Sequence, residues 1–331
     1  MLMTNWITMH LSAMAAGAAL GVLWLAEGLY PVFVHKRPRW QHGARNVVLG
    51  LLNGGARAVF FPAALVMVAT TTERMDAGLL RMVSLPLWIQ TVLGIILLDL
   101  AGYAWHVASH HWPLLWRFHA VHHHDDAVDS TTAFRFHIGD VMIGSFVTLA
   151  VVGVLGLRVE HVLVYELLLI PLSIFHHGNI RLPGRVDRLV SWLVVTPRIH
   201  WLHHSRWIVE TNSNYSPLFS FWDRIFGTFR VCSDAAAIRF GLDGYTDADH
   251  TTLRGCLATP LRSIKSQPGH DTRLGVDNTA PIPRPVEQHG VRPSLGKCLY
   301  AGRGFSPSVV REMPSAPRRR CALHPGRRTR K

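Results

Sequence analysis

Histidine is unusually dense in the middle of this chain, and its spacing is the feature most able to do chemistry. Of the 21 histidines, 14 lie between residues 106 and 204. Two groups share the pattern HxxHH and a third has the pattern HxxxH. On a helix, residues three or four positions apart share a face, so each group can direct its imidazoles at one point. The groups are His106 and His110; His119, His122 and His123; and His200, His203 and His204.

Converging imidazoles predict a metal centre. Imidazole is a neutral ligand that suits iron, zinc, copper or nickel, and one metal takes only a few such ligands. The three groups hold eight histidines, and the adjacent His176 and His177 could add to them, which indicates either two metals or a very redundant site. A shell without thiols tolerates an oxidising species that would attack cysteine, which favours redox chemistry over structural zinc. A single HxxxH pair is more often coincidence than a ligand pair, but the repeated pattern favours a site.

Several carboxylates are candidates to support such a centre. Asp99 lies inside an apolar stretch, on the same helical face as His106 and His110, where an ionisable group is costly and usually functional. We expect it to accept the second N–H of a ligating histidine. Arg57, inside another apolar stretch, either pairs with Asp99 or extends to the membrane interface. Asp125, Asp126, Asp140, Glu210 and Asp223 either act like Asp99 or are solvated, and His111 and His124 either extend the cluster or face water.

The elements that must position these side chains are apolar helices. Apolar residues make up 49% of the chain and charged residues 17%, which is unlike an ordinary soluble protein. A helix needs about 20 apolar residues to cross a bilayer. Stretches of this kind occupy residues 7–29, 47–69, 85–107, 138–157 and 162–175, of which the last is short. We therefore predict an all-α integral membrane protein with about four transmembrane helices, of which some form a hairpin, and a histidine-rich helical cap.

Loop charge predicts the orientation of these helices. The basic segment 35–45 follows the first apolar stretch, and short basic loops remain on the cytoplasmic side. The amino terminus is then outside, and the alternating passes return every histidine group to the cytoplasmic face. The setting that we expect is a bacterial inner membrane or a membrane of the endoplasmic-reticulum type.

The sequence changes character after residue 180. Segment 185–195, RVDRLVSWLVV, has apolar residues at helical spacing, which suits either a helix in the membrane interface or one packed on a core. Residues 265–331 carry +10 of the net charge of +13 and 9 of the 19 prolines, and we expect this tail to be disordered. Because the charge lies in a tail behind membrane helices, a nucleic-acid-binding protein is disfavoured.

We divide the chain into four parts on these grounds. Residues 1–84 are N-terminal membrane helices, and residues 85–245 are a histidine-rich catalytic domain with a membrane hairpin. Residues 246–264 extend that domain, and residues 265–331 form the basic tail. The four cysteines, Cys232, Cys256, Cys298 and Cys321, show no metal-binding spacing, and we expect free thiols.

The order of the histidine motifs resembles that of the fatty acid hydroxylase / sterol desaturase superfamily. The segments that carry the resemblance are DLAGYAWHVASH, LWRFHAVHHHDD, STTAFRFH, FHHGN and TPRIHWLHHS followed by NYSPLFSFWDRIFGTF. The resemblance covers residues 85–245. The chain departs from the family pattern at His124, where serine is common, and in RFHIGD, where Asp140 replaces a usual proline and glutamate.

The resemblance implies an integral membrane enzyme with a dinuclear, histidine-bound iron centre on the cytoplasmic side. Molecular oxygen would be the co-substrate, a lipid the substrate, and a separate redox protein with its reductase the electron donor; zinc would be possible in mismetallated protein. The ligand positions carried over are His106, His110, His119, His122, His123, His177, His200, His203 and His204, with His176 and His137 of second rank. Asp99, Asp140 and Asp223 are the expected supporting carboxylates.

Three functions remain open from the sequence. An oxygen-dependent lipid hydroxylase or desaturase accounts best for two metals beside apolar helices. A zinc-dependent membrane hydrolase would normally carry a general-base glutamate, as in HExxH, and this motif is absent. A metal-binding membrane protein without oxidase activity would place its ligands along a path within the spans. The sequence does not specify the lipid, the regiochemistry or the oligomeric state.

Overall fold

The structure is a computed structural model that describes residues 2–262, apart from residues 36, 233–234, 236–237, 243 and 246–247 and the side chains of residues 2–10 and 248–249. The tail predicted for residues 265–331 lies outside the described residues. The α-helices are α1 (Leu2–Leu29), α2 (Arg39–Arg74), α3 (Leu87–His111), α4 (Pro113–His123), α5 (Ile138–Leu155), α6 (Val159–His177), α7 (Gly184–Val190), α8 (Pro197–His203), α9 (Ile208–Thr211), α10 (Phe221–Ile225) and α11 (Leu253–Ala258).

Five of these helices are long and apolar enough to cross a membrane, and they confirm the prediction of an all-α integral membrane protein. They are α1 from Leu11 onward, α2, α3, α5 and α6. The fifth stretch is longer than hydropathy alone predicts, because α6 begins at Val159 and takes in Glu160 and His161. No β-strand is present among the residues described, where only isolated bridges such as Val194–Phe219 occur.

The long helices pack around a shared apolar core. Helix α1 lies against α6, α2 lies against α5, and α3 contacts both α5 and α6. The centre of this bundle holds side chains from four of the helices, among them Phe61, Leu98, Val152 and Val162, all of which are buried. Many other apolar side chains of these helices point outward, as expected for surfaces that face lipid.

A tight turn joins α5 to α6 at the end of the bundle far from the histidines. Helix α5 ends at Leu155 and is capped by Gly156, whose φ of 70° costs glycine little. The connection from α2 to α3 covers this turn, because Leu79 N donates to Val154 O and Leu80 N donates to Leu155 O. Gly78 approaches so closely that an added Cβ would lie 2.3 Å from Gly156 Cα. This contact fixes the far ends of α2, α3, α5 and α6 together.

The opposite end of the bundle carries the histidine-rich cap. Helices α3 and α6 both end there in histidine pairs, and α5 begins there. Pro113 and Pro197 each occupy the first turn of a short helix, α4 and α8, where a missing N–H costs nothing. Each of these short helices then ends within an HxxHH group. The ends of four elements therefore deliver histidines to the same region.

Arg57 meets neither of the two expectations from the sequence, which were a pair with Asp99 and an extension to the membrane interface. Its guanidinium donates to Glu166 of α6 and to Ser145 Oγ of α5, and it lies over the Phe61 ring. It therefore neither reaches Asp99 nor extends to the membrane interface. The reason is that α2 packs against α5 and α6 rather than against α3 at this level.

Candidate metal centre

The structure gathers all nine first-rank histidines into two sets. Within each set, one ring nitrogen from every member lies within 4.8 Å of those of the others. Four elements contribute to the pair of sets: α3, α4, α6 and α8 with its following residue. The first set is His106, His110, His119, His123 and His203. The second set is His122, His177, His200 and His204.

The two sets adjoin each other. The rings of His123 and His204 are stacked with centroids 4.7 Å apart, and those of His122 and His119 are 5.5 Å apart. Except for His106, which is partly exposed, every member is buried. The arrangement therefore offers two neighbouring, nitrogen-only sites in a region that excludes most water.

Four of the five rings in the first set are held by a contact between an outward-facing Nδ1 atom and an oxygen atom. His106 Nδ1 lies 2.7 Å from Tyr215 O, and His203 Nδ1 lies 2.7 Å from Ser213 O. His119 Nδ1 lies 2.9 Å from the Asp140 carboxylate, and His110 Nδ1 lies 3.2 Å from Asn212 Oδ1. Since oxygen atoms of this kind accept, each Nδ1 carries the hydrogen and each Nε2 is left bare toward the centre.

Fewer outer partners hold the second set. His177 Nδ1 lies 2.7 Å from Ser173 O one turn earlier in α6, and His122 Nδ1 lies 3.3 Å from Arg135 O. The Nδ1 atoms of His200 and His204 are buried with no hydrogen-bond partner among the described residues. The second set thus has weaker support than the first.

The inner nitrogens fit a metal ion at each set. His106 Nε2 and His203 Nε2 are both bare acceptors, yet they lie 3.0 Å apart. His122 Nε2 and His177 Nε2 are in the same condition at 3.2 Å. Two lone pairs that face each other at this distance repel unless both bind a shared cation. His110 Nε2 and both nitrogens of His123 are also buried and unpartnered among the described residues, so ligation would satisfy them.

Protons are poor candidates for that cation. Burial lowers the pKa of His203 well below its ordinary value, and the imidazoles of His106 and His110 lower it further. Burial and neighbouring imidazoles likewise lower the pKa of His123 and His200. Neutral imidazole is the form that binds metal, so the environment holds these side chains ready for ligation.

Of the two second-rank histidines, one lies beside the sets and one lies apart. The buried ring of His176 lies 4.1 Å from that of His200, and its Nδ1 has no partner among the described residues. His137 instead caps α5, because its Nδ1 accepts from Gly139 N and its Nε2 lies 3.2 Å from Leu257 O. Both nitrogens of His137 are therefore engaged away from the centre.

Two of the supporting carboxylates, Asp99 and Asp223, contact no histidine of the sets. Asp99 accepts from Tyr165 Oη, Phe219 N and Trp222 Nε1, so it joins α3 to α6, to α10 and to the residues just before α10. Asp223 accepts from Tyr215 N and Ser216 N. It thereby fixes the loop whose Tyr215 carbonyl orients His106. Of the three expected carboxylates, Asp140 is the one that contacts a histidine of the sets.

A buried network beside the second set was not expected from the sequence. His42 of α2 lies 2.9 Å from both Asp125 carboxylate oxygens and 3.1 Å from Asp129. Arg135 is fully buried, donates to Val121 O and lies 3.1 Å from His124 Nδ1. His124 thus belongs to this network and not to the sets. The sequence signal for this network was HHHDD, residues 122–126. Of its three histidines, only His122 and His123 belong to the sets.

The part of the chain that holds the two sets is similar to known proteins. The family model for fatty acid hydroxylase matches residues 91–228. The ornithine lipid hydroxylase OlsE of Rhizobium tropici is 29% identical over 48% of this chain and 47% of its own length. Human cholesterol 25-hydroxylase is 30% identical over 42% of this chain and 50% of its own length. An alkylglycerol monooxygenase of Danio rerio is 26% identical over 44% of this chain and 31% of its own length.

The matches are confined to part of each protein. The chain spans about half the length of the first two relatives and less of the third. No solved structure matches the chain significantly. The matched residues nevertheless run from α3 to the loop after α10, and they contain all nine histidines of the two sets. The histidine-rich part of this chain, residues 91–228, is similar to the fatty acid hydroxylase family.

Proposed function

We propose that this protein is an oxygen-dependent, di-iron lipid hydroxylase of the membrane. The observation that carries the proposal is the pair of adjacent all-histidine sets, placed at one end of the bundle of five apolar helices. The match of residues 91–228 to the fatty acid hydroxylase family supports it. Three relatives named as hydroxylases or monooxygenases of an ornithine lipid, cholesterol and alkylglycerols support a lipid substrate.

Each set would hold one iron through the Nε2 atoms that converge on it. His123, whose two ring nitrogens are both unpartnered among the described residues, would add one of them to the first set. Two irons in such a shell supply the redox chemistry that activates molecular oxygen toward a C–H bond. One oxygen atom enters the C–H bond as a hydroxyl group and the other leaves as water. The balance requires two electrons and two protons, which a separate redox protein and its reductase would provide.

The protein's own residues would orient and isolate this chemistry. The carbonyls of Tyr215 and Ser213 and the Asp140 carboxylate fix the tautomers of three histidines, so that their lone pairs face inward. The aromatic ring of Phe136 stacks on His122 at 4.2 Å and shields the second set from water. The apolar helices allow a lipid to approach from the side, without leaving the bilayer.

A zinc hydrolase fits the sets less well. Such a site usually holds three protein ligands, an open position and a nearby general-base carboxylate. Neither set contains a carboxylate among its described members. Glu210 accepts from Ser205 Oγ instead of pointing into a set. A transport pathway is disfavoured as well, because the histidines cluster at one end of the helices rather than along them.

The test compares lipids from membranes that contain the full chain, His203→Ala or His111→Gln. His111 is adjacent to His110 in sequence, but its ring is exposed and lies outside both sets, which makes it a matched control. Under ¹⁸O₂, we expect a lipid that gains one labelled oxygen with the full chain and with His111→Gln, and none with His203→Ala. A loss of two hydrogens without label would assign desaturation instead.

Metal analysis of the same preparations distinguishes the di-iron hydroxylase from a zinc hydrolase and from a metal-binding protein without oxidase activity. We expect about two irons per chain, in line with the two sets. A chain that binds only zinc in cells and consumes no oxygen across a broad lipid panel would contradict the proposal. Iron at two per chain with no lipid product would support the centre and reject lipid as its substrate.

A further inference from the structure

The segment that contains α7 presents its apolar side chains outward and its acidic side chain inward. Leu189, Trp192 and Leu193 are 75%, 65% and 59% exposed. Asp187 is buried and accepts from Arg198 Nε at 2.5 Å. This is the reverse of the pattern of a helix packed on a core in water. Of the two arrangements that the sequence left open, the structure therefore excludes the core-facing one.

This exposed surface lies on the bundle side of the histidine sets. Asp99 precedes His106 by seven residues in α3, which is about 10 Å along the helix axis toward the membrane-spanning core. Asp99 binds Phe219 N and Trp222 Nε1. Phe219 in turn forms a bridge with Val194, next to Leu193. The α7 segment is thereby attached at a depth where the neighbouring helices are apolar.

Arginines border the apolar side chains. A shallow surface cavity is lined by Arg185, Arg188, Leu189 and Trp192. Both arginines are exposed, and neither forms an ion pair within the described part of the chain. A third arginine, Arg224, lies nearby: its guanidinium is 4.8 Å from the centre of the Trp192 ring and donates to Ser191 O. The surface thus combines exposed leucine and tryptophan with uncompensated positive charge.

We propose that residues 184–193 form an interfacial element that binds anionic phospholipid headgroups of the surrounding membrane. Leu189, Trp192 and Leu193 enter the acyl-chain boundary, where an apolar surface and a tryptophan are both favoured. Arg185 and Arg188 extend to the phosphate level and bind it through their planar guanidinium groups. The inference goes beyond the hydroxylase proposal and holds whether or not the metal centre is active.

The depth of Trp192 is tested in nanodiscs whose lipids carry bromine on the acyl chains. The chain has 11 tryptophans, so the comparison is between the full chain, Trp192→Phe and Trp112→Phe. Trp112 is 64% exposed but follows the last residue of α3, on the other side of His106 from Asp99. We expect Trp192→Phe to remove more of the bromine-quenched fluorescence than Trp112→Phe. Equal losses would overturn the placement of this segment in the bilayer.

The headgroup assignment is tested by native mass spectrometry of the full chain with phosphatidylglycerol or phosphatidylcholine. We expect phosphatidylglycerol to be retained preferentially, with about fivefold weaker binding for each of Arg185→Gln and Arg188→Gln. Arg254→Gln, an exposed arginine of α11, is the control and should leave retention unchanged. Equal retention of the two lipids, or an equal loss in the control, would overturn the assignment. A dimer that Trp192→Arg separates would assign the surface to a second copy and reject the lipid.

Discussion

At the residue scale, the nine histidines differ in what their outer ring nitrogen contacts. His119 donates to a carboxylate, Asp140, whereas His106, His177 and His203 donate to backbone carbonyls. A carboxylate partner increases the basicity of the imidazole more than a carbonyl does. The first set also has one more histidine than the second. We therefore expect the first set to bind its metal more tightly.

Replacing the carboxylate partner tests this difference. Asp140→Asn keeps a hydrogen-bond acceptor for His119 but removes the charge, so the affinity of one of two metals should fall by about 10- to 100-fold. Competition with a graded series of chelators measures the two affinities. Asp126→Asn is the control, because Asp126 lies close to the same histidine run but in neither set. Unchanged metal retention in Asp140→Asn would contradict the expected role of this carboxylate.

The buried acid Asp129 gives the protein a dependence on pH. Burial raises the pKa of the Asp129 carboxyl, but hydrogen bonds from His42 and Thr131 outweigh this and hold the pKa below its ordinary value. A carboxyl whose folded pKa is depressed stabilises the fold above its unfolded pKa of about 3.9 and loses this contribution as pH falls. The thermal midpoint in detergent should therefore decrease as pH is lowered from about 5 toward 3.

Asp129→Asn separates this contribution from general acid sensitivity. Removing one partner of a buried ionic network should reduce the free energy of unfolding by about 3–5 kcal/mol at pH 7. The variant should also show a shallower decrease of the thermal midpoint at acid pH than the unchanged chain. Parallel curves for the two proteins would show that Asp129 is not a source of the pH dependence.

At the element scale, short helices that start at proline position the histidines. Helices α4 and α8 each have proline in the first turn and each end at the histidine run. The residue that follows each helix is its C-cap, His124 for α4 and His204 for α8. Neither helix is long enough to be stable alone, so the packing of α4 on α3 and of α8 on α6 must hold them. The geometry of the sets therefore depends on how the long helices are fixed.

The contact between Gly78 and Gly156 is one such fixed point. Gly78→Ala would force a Cβ to 2.3 Å from Gly156 Cα in a backbone with φ of 122°. We expect a loss of at least about 1–3 kcal/mol of stability from the backbone strain alone, measured as a lower thermal midpoint in detergent. Gly17→Ala in α1 is the matched control, because nothing lies within 4 Å of its added Cβ. Equal midpoints for the two variants would contradict the tight packing.

At the scale of the whole molecule, the five apolar helices place the histidine sets and the α5–α6 turn at opposite ends of the bundle. The described residues of the basic segment 35–45 lie at the histidine end, because residues 39–45 begin α2 and His42 contacts Asp125 and Asp129 there. Positive loops remain on the cytoplasmic side. This predicts that the histidine sets face the cytoplasm, which is also where an electron donor would be found.

Cysteine labelling of a cysteine-free variant in intact cells tests this orientation. Met75→Cys lies at the exposed end of α2, near the turn, and Arg254→Cys lies on the cap. A membrane-impermeant maleimide should label Met75→Cys from outside and Arg254→Cys only after permeabilisation. The reverse result would place the histidine sets on the outer face and exclude a cytoplasmic electron donor.

The sequence by itself determined the classes of element and the residues able to bind metal. Apolar length is a local property, so the five apolar stretches could be located before any packing was known, although about four spanning helices were predicted and the structure has five. Histidine spacing is also local, because residues three or four apart share a helical face whatever the helix contacts. The nine first-rank histidines that lie together in the structure were therefore named from sequence, although their role as ligands stays a prediction.

Only the tertiary structure decided how the histidines divide and which polar groups support them. Consecutive residues on a helix differ by about 100° in direction, so the neighbours His122 and His123 enter different sets, as do His203 and His204. The partners of Asp99 and Arg57 lie 66 to 123 residues away, at distances along the chain that no local pattern encodes. The outward apolar face of α7 depends in the same way on Asp187 turning inward to meet Arg198.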